Sequence, residues 1–182
     1  SVRESIRAIP FEAVREADLV VLAVKPQQMA EVARGVAPQL AERRRVVVSI
    51  AAGIRLADLA RWLGAGRPIV RAMPNRPALI GAGVTALYGG GDVTAHDRDS
   101  VEALMSAAGA TVWLDLESQM DVVTAISGSG PAYFFLLIEA LESAGIASGL
   151  PAATARRLAV ETARGAGQMA AESGEAPAML RE

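Results

Sequence analysis

Apolar stretches of strand length alternate with apolar positions at helical spacing through the first two thirds of the chain. Leu19-Val20-Val21-Leu22-Ala23-Val24 is apolar without a break and stops at Lys25-Pro26, which predicts a strand over 18–24 buried on both faces. Met29, Val32, Ala33 and Val36 then recur at helical spacing as far as Pro38. The same reading predicts strands over 46–50 and 69–73 on either side of a short helix over 56–63, and further strands over 84–88 and 111–114 around a helix over 97–108, with Gly89-Gly90-Gly91 as a turn. Such alternation implies an α/β domain built on a parallel sheet. After Gln119 only helical patterns remain: one helix over 131–144, a glycine-containing corner over 145–151, and a second helix over 152–171 with Leu158, Ala159, Thr162, Ala166 and Met169 as its buried positions. The change near Glu117 divides the chain into an α/β domain, 1–117, and an all-helical one, 118–182. The helical unit is unusually apolar for an isolated hairpin and would gain by packing against a partner subunit.

Composition narrows the function. The 182 residues are 52% hydrophobic with a net charge of −2, a balance that suits a soluble globular protein and lacks the basic footprint of a nucleic-acid binder. The one basic run, Arg43-Arg44-Arg45, reads as a solvated helix end. There is no cysteine, so disulfides, thiolate catalysis and cysteine-held metals are excluded. His96 is the only histidine and reads as a surface-loop residue, which leaves a histidine-centred triad or a multi-histidine zinc site without material. The apolar run at Phe134 is shorter than a membrane span and is interrupted by Glu139 and Glu142. With no signal peptide ahead of it, a cytoplasmic protein is expected.

The segment Ser127-Gly128-Ser129-Gly130-Pro131 precedes a long apolar run, Phe134-Phe135-Leu136-Leu137-Ile138, which continues through Glu139-Ala140-Leu141 to Ala144. Ser127 or Ser129 would cap a helix beginning there, and Pro131 suits a first helical position. The free first-turn N–H groups would then favour an anion such as a substrate carboxylate, although an ordinary capped helix explains the capping alone.

Read whole, Asp121 to Tyr133 resembles the start of the C-terminal domain of pyrroline-5-carboxylate reductases. Leu22-Ala23-Val24-Lys25-Pro26-Gln27, Ser49-Ile50-Ala51-Ala52-Gly53, Val70-Arg71-Ala72-Met73-Pro74-Asn75-Arg76-Pro77, Gly81-Ala82-Gly83-Val84-Thr85, and Ala144-Gly145 with Gly149-Leu150-Pro151 fit the same family in the same order. The resemblance implies a Rossmann-type parallel sheet followed by a helical dimerisation domain. It also implies reduction of 1-pyrroline-5-carboxylate to L-proline with NADPH or NADH, and a homodimer assembled into a larger homo-oligomer. No strand followed by Gly-x-Gly-x-x-Gly lies within residues 1–24, so the first βαβ unit is expected to be absent from this sequence. The family's Ser/Pro/Gly/Gly/Thr loop is expected to be absent after Glu182, and Ser1 to Ile9 are not expected to be contiguous with the rest of the chain.

Imine reduction requires alignment of two planes, a grip on the substrate carboxylate and stabilisation of the nitrogen, but no strong nucleophile. By resemblance Ala23, Val24, Lys25, Pro26, Ile50, Ala51, Ala52, Met73 and Asn75 touch the cofactor. For Asn75 a plain Asx-turn is equally open, and for Ala23 to Pro26 an ordinary strand-to-helix connection. Thr124 matches a threonine near the imine and is the candidate catalytic, orienting group, with a buried N-cap or helix-interior threonine as the alternative. Glu117, Ser127, Gly128, Ser129, Gly130 and Pro131 are the candidate substrate-binding residues, a surface glutamate being the ordinary reading of Glu117. Two other readings remain: a protein of this fold that binds NAD(P) or dimerises without turnover, and a β-hydroxyacid dehydrogenase-like enzyme. Members of the latter resemble one another in using a helical-domain lysine as acid, and no lysine follows Lys25.

Overall fold

A computed structural model describes residues 13–181 of the chain; the expectation about Ser1 to Ile9 falls outside them. The chain divides into two compact units, Ser1–Ser129 and Gly130–Glu182.

The first unit contains helix α1 (Ala13–Glu16), strand β1 (Leu19–Leu22), α2 (Pro26–Leu40), β2 (Val46–Ser49), α3 (Leu56–Leu63), β3 (Ile69–Pro74), β4 (Gly83–Gly89), α4 (Ala95–Met105), β5 (Gly109–Trp113) and α5 (Gln119–Val123). Its sheet has the order β1-β2-β3-β4-β5. β1, β2 and β3 are parallel, as the alternating pattern implied, and β5 is parallel to β4. The β3–β4 pair is antiparallel, within a sheet that is otherwise parallel. Residues 75–82 are too few for a crossover, which needs a dozen residues or more, and they form only a 3₁₀ turn, Arg76–Ile80.

Two apolar clusters cover the sheet. Met29, Ala33, Val36 and Leu40 of α2 and Leu59 and Leu63 of α3 lie with Val20, Leu22, Val47 and Ile69. Val101 and Met105 of α4 lie with Val46, Val48, Val70, Ala72 and Leu87. β2 is therefore buried at every position. β1, at the sheet edge, meets the two-face expectation only in part: Val20 and Leu22 are buried on one face, while on the other Leu19 is half-buried against the α4 cluster and Val21 is exposed.

The arginine run is a second correction. Only 2% of Arg45 is exposed, and its guanidinium donates to the carbonyls of Arg15, Ala17, Gln39 and Arg43. Arg43 donates to the carbonyls of Glu16 and Ala17, and Arg44 pairs with buried Asp97. The run is a brace that ties the ends of α1 and α2, and Arg45 within it is buried rather than solvated, because five donors in a fixed fork satisfy several carbonyls at once. His96 is exposed, as expected, but sits in the first turn of α4, where Thr94 and Asp97 form a reciprocal capping box.

The second unit consists of α6 (Gly130–Ala147), α7 (Ala152–Glu172) and α8 (Pro177–Leu180). The corner between α6 and α7 uses Gly149 at φ +97°. Ala155 and Ala159 are the buried residues of α7, while Leu158, Thr162, Ala166 and Met169 are not buried, so Ala159 alone meets the expected buried set. Small residues one turn apart let the helices approach closely: a Cβ on Gly145 would lie 3.0 Å from that of Ala155. Tyr133, Phe134, Phe135, Leu136 and Leu137 of α6 are all exposed.

Helical structure extends over Gln119–Ala147, a stretch of 29 residues that is long and apolar enough, by length and composition alone, to cross a bilayer. The expectation that the apolar run is too short for a span is therefore not upheld. Its weight as a membrane signal is small, since soluble core and interface helices share this composition.

Candidate functional site at the strand ends

The parallel register aligns Leu22 with Ser49 and Ser49 with Arg71, so the chain leaves β1, β2 and β3 along one edge of the sheet. Open α/β sheets bind ligands outside the carboxyl ends of their strands. Ala23 to Pro26 leave β1, with Ala23, Lys25 and Pro26 exposed and Val24 half-buried. Lys25 is the N-cap residue of α2 and makes no side-chain cap, and Pro26 occupies the first turn, where its missing N–H costs nothing. Ile50, Ala51 and Ala52 leave β2 and end at Gly53, whose φ of +76° requires glycine and whose built Cβ would meet nothing within 4 Å. Ala51 is buried in the core and Ile50 half-buried, so the exposed backbone at this edge is that of Ala52 and Gly53.

β3 ends at Met73-Pro74, followed by Asn75 in extended conformation. The Asn75 side-chain oxygen accepts from the Val84 N–H at 3.0 Å, which pins the β3–β4 connection. It makes no side-chain cap on the following turn, so the Asx-turn reading does not hold. Among the described residues its amide nitrogen donates to no protein acceptor.

The glycine- and serine-rich motif is helical. Thr124–Gly128 form a π-helical stretch between α5 and α6, and the Ser129 N–H donates to the Thr124 carbonyl at 2.9 Å. The helix therefore does not begin at Pro131, Ser127 and Ser129 cap nothing, and the expected free first-turn amides are inside a continuing helix. Period-3.6 reasoning misses this because glycine pairs read as a breaker, whereas an inserted residue widens the helix and tolerates them. The Thr124 hydroxyl donates to the Met120 carbonyl at 2.9 Å and the Ser127 hydroxyl to the Val123 carbonyl at 3.1 Å. Both keep their lone pairs for an incoming donor. A Cβ on Gly128 would lie 3.1 Å from Met73 Cε and 3.7 Å from the Thr124 methyl, so Met73, Gly128 and Thr124 meet at the end of β3.

Residues 117–182 match the family described as pyrroline-5-carboxylate reductase dimerisation, and residues 4–53 match that described as NADP oxidoreductase, coenzyme F420-dependent. A pyrroline-5-carboxylate reductase of Pseudomonas aeruginosa is 52% identical over 170 residues, 93% of this chain and 62% of that protein. One of Glycine max is 40% identical, over 94% of this chain and 61% of its own length. Among solved structures, a pyrroline-5-carboxylate reductase from Coxiella burnetii superposes with a TM-score of 0.91 at 38% identity, over 96% of this chain and 65% of that one. A pyrroline carboxylate reductase from Plasmodium falciparum with NADP bound gives 0.85 at 32% identity, over 93% of this chain and 64% of that one.

The chain belongs to the pyrroline-5-carboxylate reductase family. It spans less than two thirds of the length of these relatives. The family relationship accounts for the sheet followed by a helical unit and disfavours the β-hydroxyacid dehydrogenase alternative.

Within this family chain, Glu117 is neither a surface glutamate nor a fully free ligand. Its Oε1 accepts from the Leu56 N–H at 2.7 Å and from Arg71 Nη1 at 2.8 Å. The Arg71 side chain is 9% exposed and that of Glu117 28%. α3 has no cap of its own, since its N-cap residue Arg55 makes no side-chain bond, and the Glu117 carboxylate takes that place beside the positive helix end. Arg71 is the site-edge residue that motif and period did not single out. Its one signal is an arginine inside the otherwise apolar strand Ile69-Val70-Arg71-Ala72-Met73, a residue type that is buried almost only when paired.

Proposed function

We propose that this chain is the cofactor- and substrate-facing part of an NAD(P)H-dependent pyrroline-5-carboxylate reductase. The enzyme converts 1-pyrroline-5-carboxylate to L-proline, the last step of proline biosynthesis. Hydride is added to the imine carbon, and the nitrogen, once protonated, becomes the secondary amine. NADPH or NADH, when bound, supplies that hydride. Residues 1–117 serve the cofactor and 118–182 serve substrate and dimerisation, in a cytoplasmic homodimer built through the helical domain and assembled further, with no nucleic-acid or membrane partner. The family's dimerisation match and the exposed apolar faces of α6 support the subunit contact.

The exposed backbone at Ala52 and Gly53 fits a flat ring lying close to the strand ends, above the buried Ala51. Ala23, Val24, Lys25, Pro26 and Ile50 would form the neighbouring wall, and Met73 with Asn75 the far side. Thr124 would act on the substrate nitrogen. Because its proton is engaged by Met120, it offers lone pairs, which suits the N–H of a protonated imine and holds that nitrogen without acting as an acid. Ser127, Gly128, Ser129, Gly130 and Pro131 would line the substrate through hydroxyls and close backbone approach rather than through a helix end. Glu117 retains a second oxygen outside its two bonds, and that oxygen is what it would offer substrate.

The observation that carries this reading is the meeting of Met73, from the cofactor edge, with Gly128 and Thr124 of the hydroxyl-bearing motif. The test is saturable oxidation of NADPH or NADH by the full-length protein, dependent on pyrroline-5-carboxylate; its absence would sink the proposal. Thr124→Ala is expected to lower kcat more than cofactor affinity, whereas Lys25→Ala is expected to weaken cofactor binding, each read from kcat, KM and a fluorescence titration of cofactor. Equal losses in both parameters for Thr124→Ala would move it off the substrate.

A further inference from the structure

Glu117 ties three parts of the first unit together. Through the Leu56 N–H it holds the start of α3, directly after the Ile50-Ala51-Ala52-Gly53 exit of β2. Through Arg71 it holds β3 two residues before Met73. Its own carbonyl accepts the Met120 N–H, and the Met120 carbonyl in turn receives the Thr124 hydroxyl. Arg71 is the member with no alternative use: it is buried, strand-borne and charged, and Glu117 is its one carboxylate partner among the described residues. Removing it would leave the Glu117 carboxylate unpaired beside a buried position, free to rotate and release Leu56.

We infer that Arg71 is a positioning residue, which by fixing the Glu117 carboxylate sets the β2–α3 cofactor loop and the Thr124 helix in one register. Its catalytic consequence rests on the proposed reductase function, and its structural consequence does not. Arg71 touches neither substrate nor cofactor in this role. It acts through Glu117, as residues that lock the orientation of catalytic groups do.

The experiment compares Arg71→Met, Arg71→Lys, Glu117→Ala and the double variant Arg71→Met/Glu117→Ala in the full-length protein, with circular dichroism to verify folding. Arg71→Met is expected to lower kcat/KM by roughly tenfold or more, and the double variant to lose no more than Glu117→Ala alone, because two members of one device fail together. Arg71→Lys should recover part of the loss by restoring a cation, though not the fork geometry. Independently of turnover, the Leu56 amide should exchange its hydrogen faster in Arg71→Met than in the parent, with the amides of β2 unchanged. Multiplicative losses in the double variant, or a Leu56 amide equally protected with and without Arg71, would overturn the inference. If the parent protein reduced no cyclic imine, the proposed function would fall while the exchange comparison still decided the clamp. Should Arg71→Met fail to fold, Arg71→Lys and Glu117→Ala carry the same comparison.

Discussion

The two units treat apolar residues in opposite ways. In the first, β2 is buried at all four positions between α2–α3 on one side and α4 on the other. In the second, α6 is the most apolar of the long helices, yet Gly130 is its only buried residue and Leu136 is 63% exposed. Hydrophobicity alone therefore does not locate a core. A sheet offers two faces that helices from the same chain cover, whereas a two-helix hairpin has one internal seam, here filled by Gly145, Ala155 and Ala159, and leaves the rest of each helix for another surface.

The largest expected effect would break that contrast if it failed. Leu87→Ala removes a fully buried side chain from the sheet and should cost roughly 2–5 kcal/mol, while Leu136→Ala should change monomer stability by about 0.5 kcal/mol or less, both read from urea midpoints at low protein concentration. Similar losses would mean that α6 is already covered within one chain. A smaller effect probes the seam. Gly145→Val drives branched carbons into Ala155 and should cost about 1–3 kcal/mol, visible as earlier loss of helical signal on heating. No loss would show that α6 and α7 do not rely on close approach.

The smallest effect sharpens the account of the first unit. Hydrogen bonds from Arg44, then from Thr94, hold the Asp97 carboxyl well below the usual carboxylate range despite the opposing cost of burial. A depressed folded value means stability that is present above the unfolded aspartate value of about 3.9 and is lost as pH falls from there toward the folded one. Asp97→Asn should therefore lower the urea midpoint at neutral pH and flatten its decline in acid. An unchanged acid limb would show that Asp97 is not one of the groups that govern it.

Much of the frame was legible from residue pattern. α3 falls on the predicted residues 56–63, and every predicted strand exists to within a few residues. The parallel runs, the strand-end position of Ala23 to Pro26 and the existence of two units follow from periods of two and 3.6 and from the turn residues between them. Those are local properties, and a single chain segment expresses them whatever surrounds it. Four features were not legible in this way. The antiparallel turn at β3–β4 depends on what a short connection can span. The π-helical Thr124–Gly128 depends on hydrogen bonds one residue longer than the pattern assumes. The arginine brace and the Arg71–Glu117 pair join residues distant in sequence.

Order, element type and family relationship thus belong to the chain itself, because apolar periodicity and motif spacing are written along it. Which polar groups meet is a property of the folded molecule: Arg71 and Glu117 stand 46 positions apart, and only the sheet register and the path of the chain after β5 bring their charges within hydrogen-bonding distance. A long side chain in a sequence can pair with many others, and burial, which makes an unpaired charge costly, selects the one that it does.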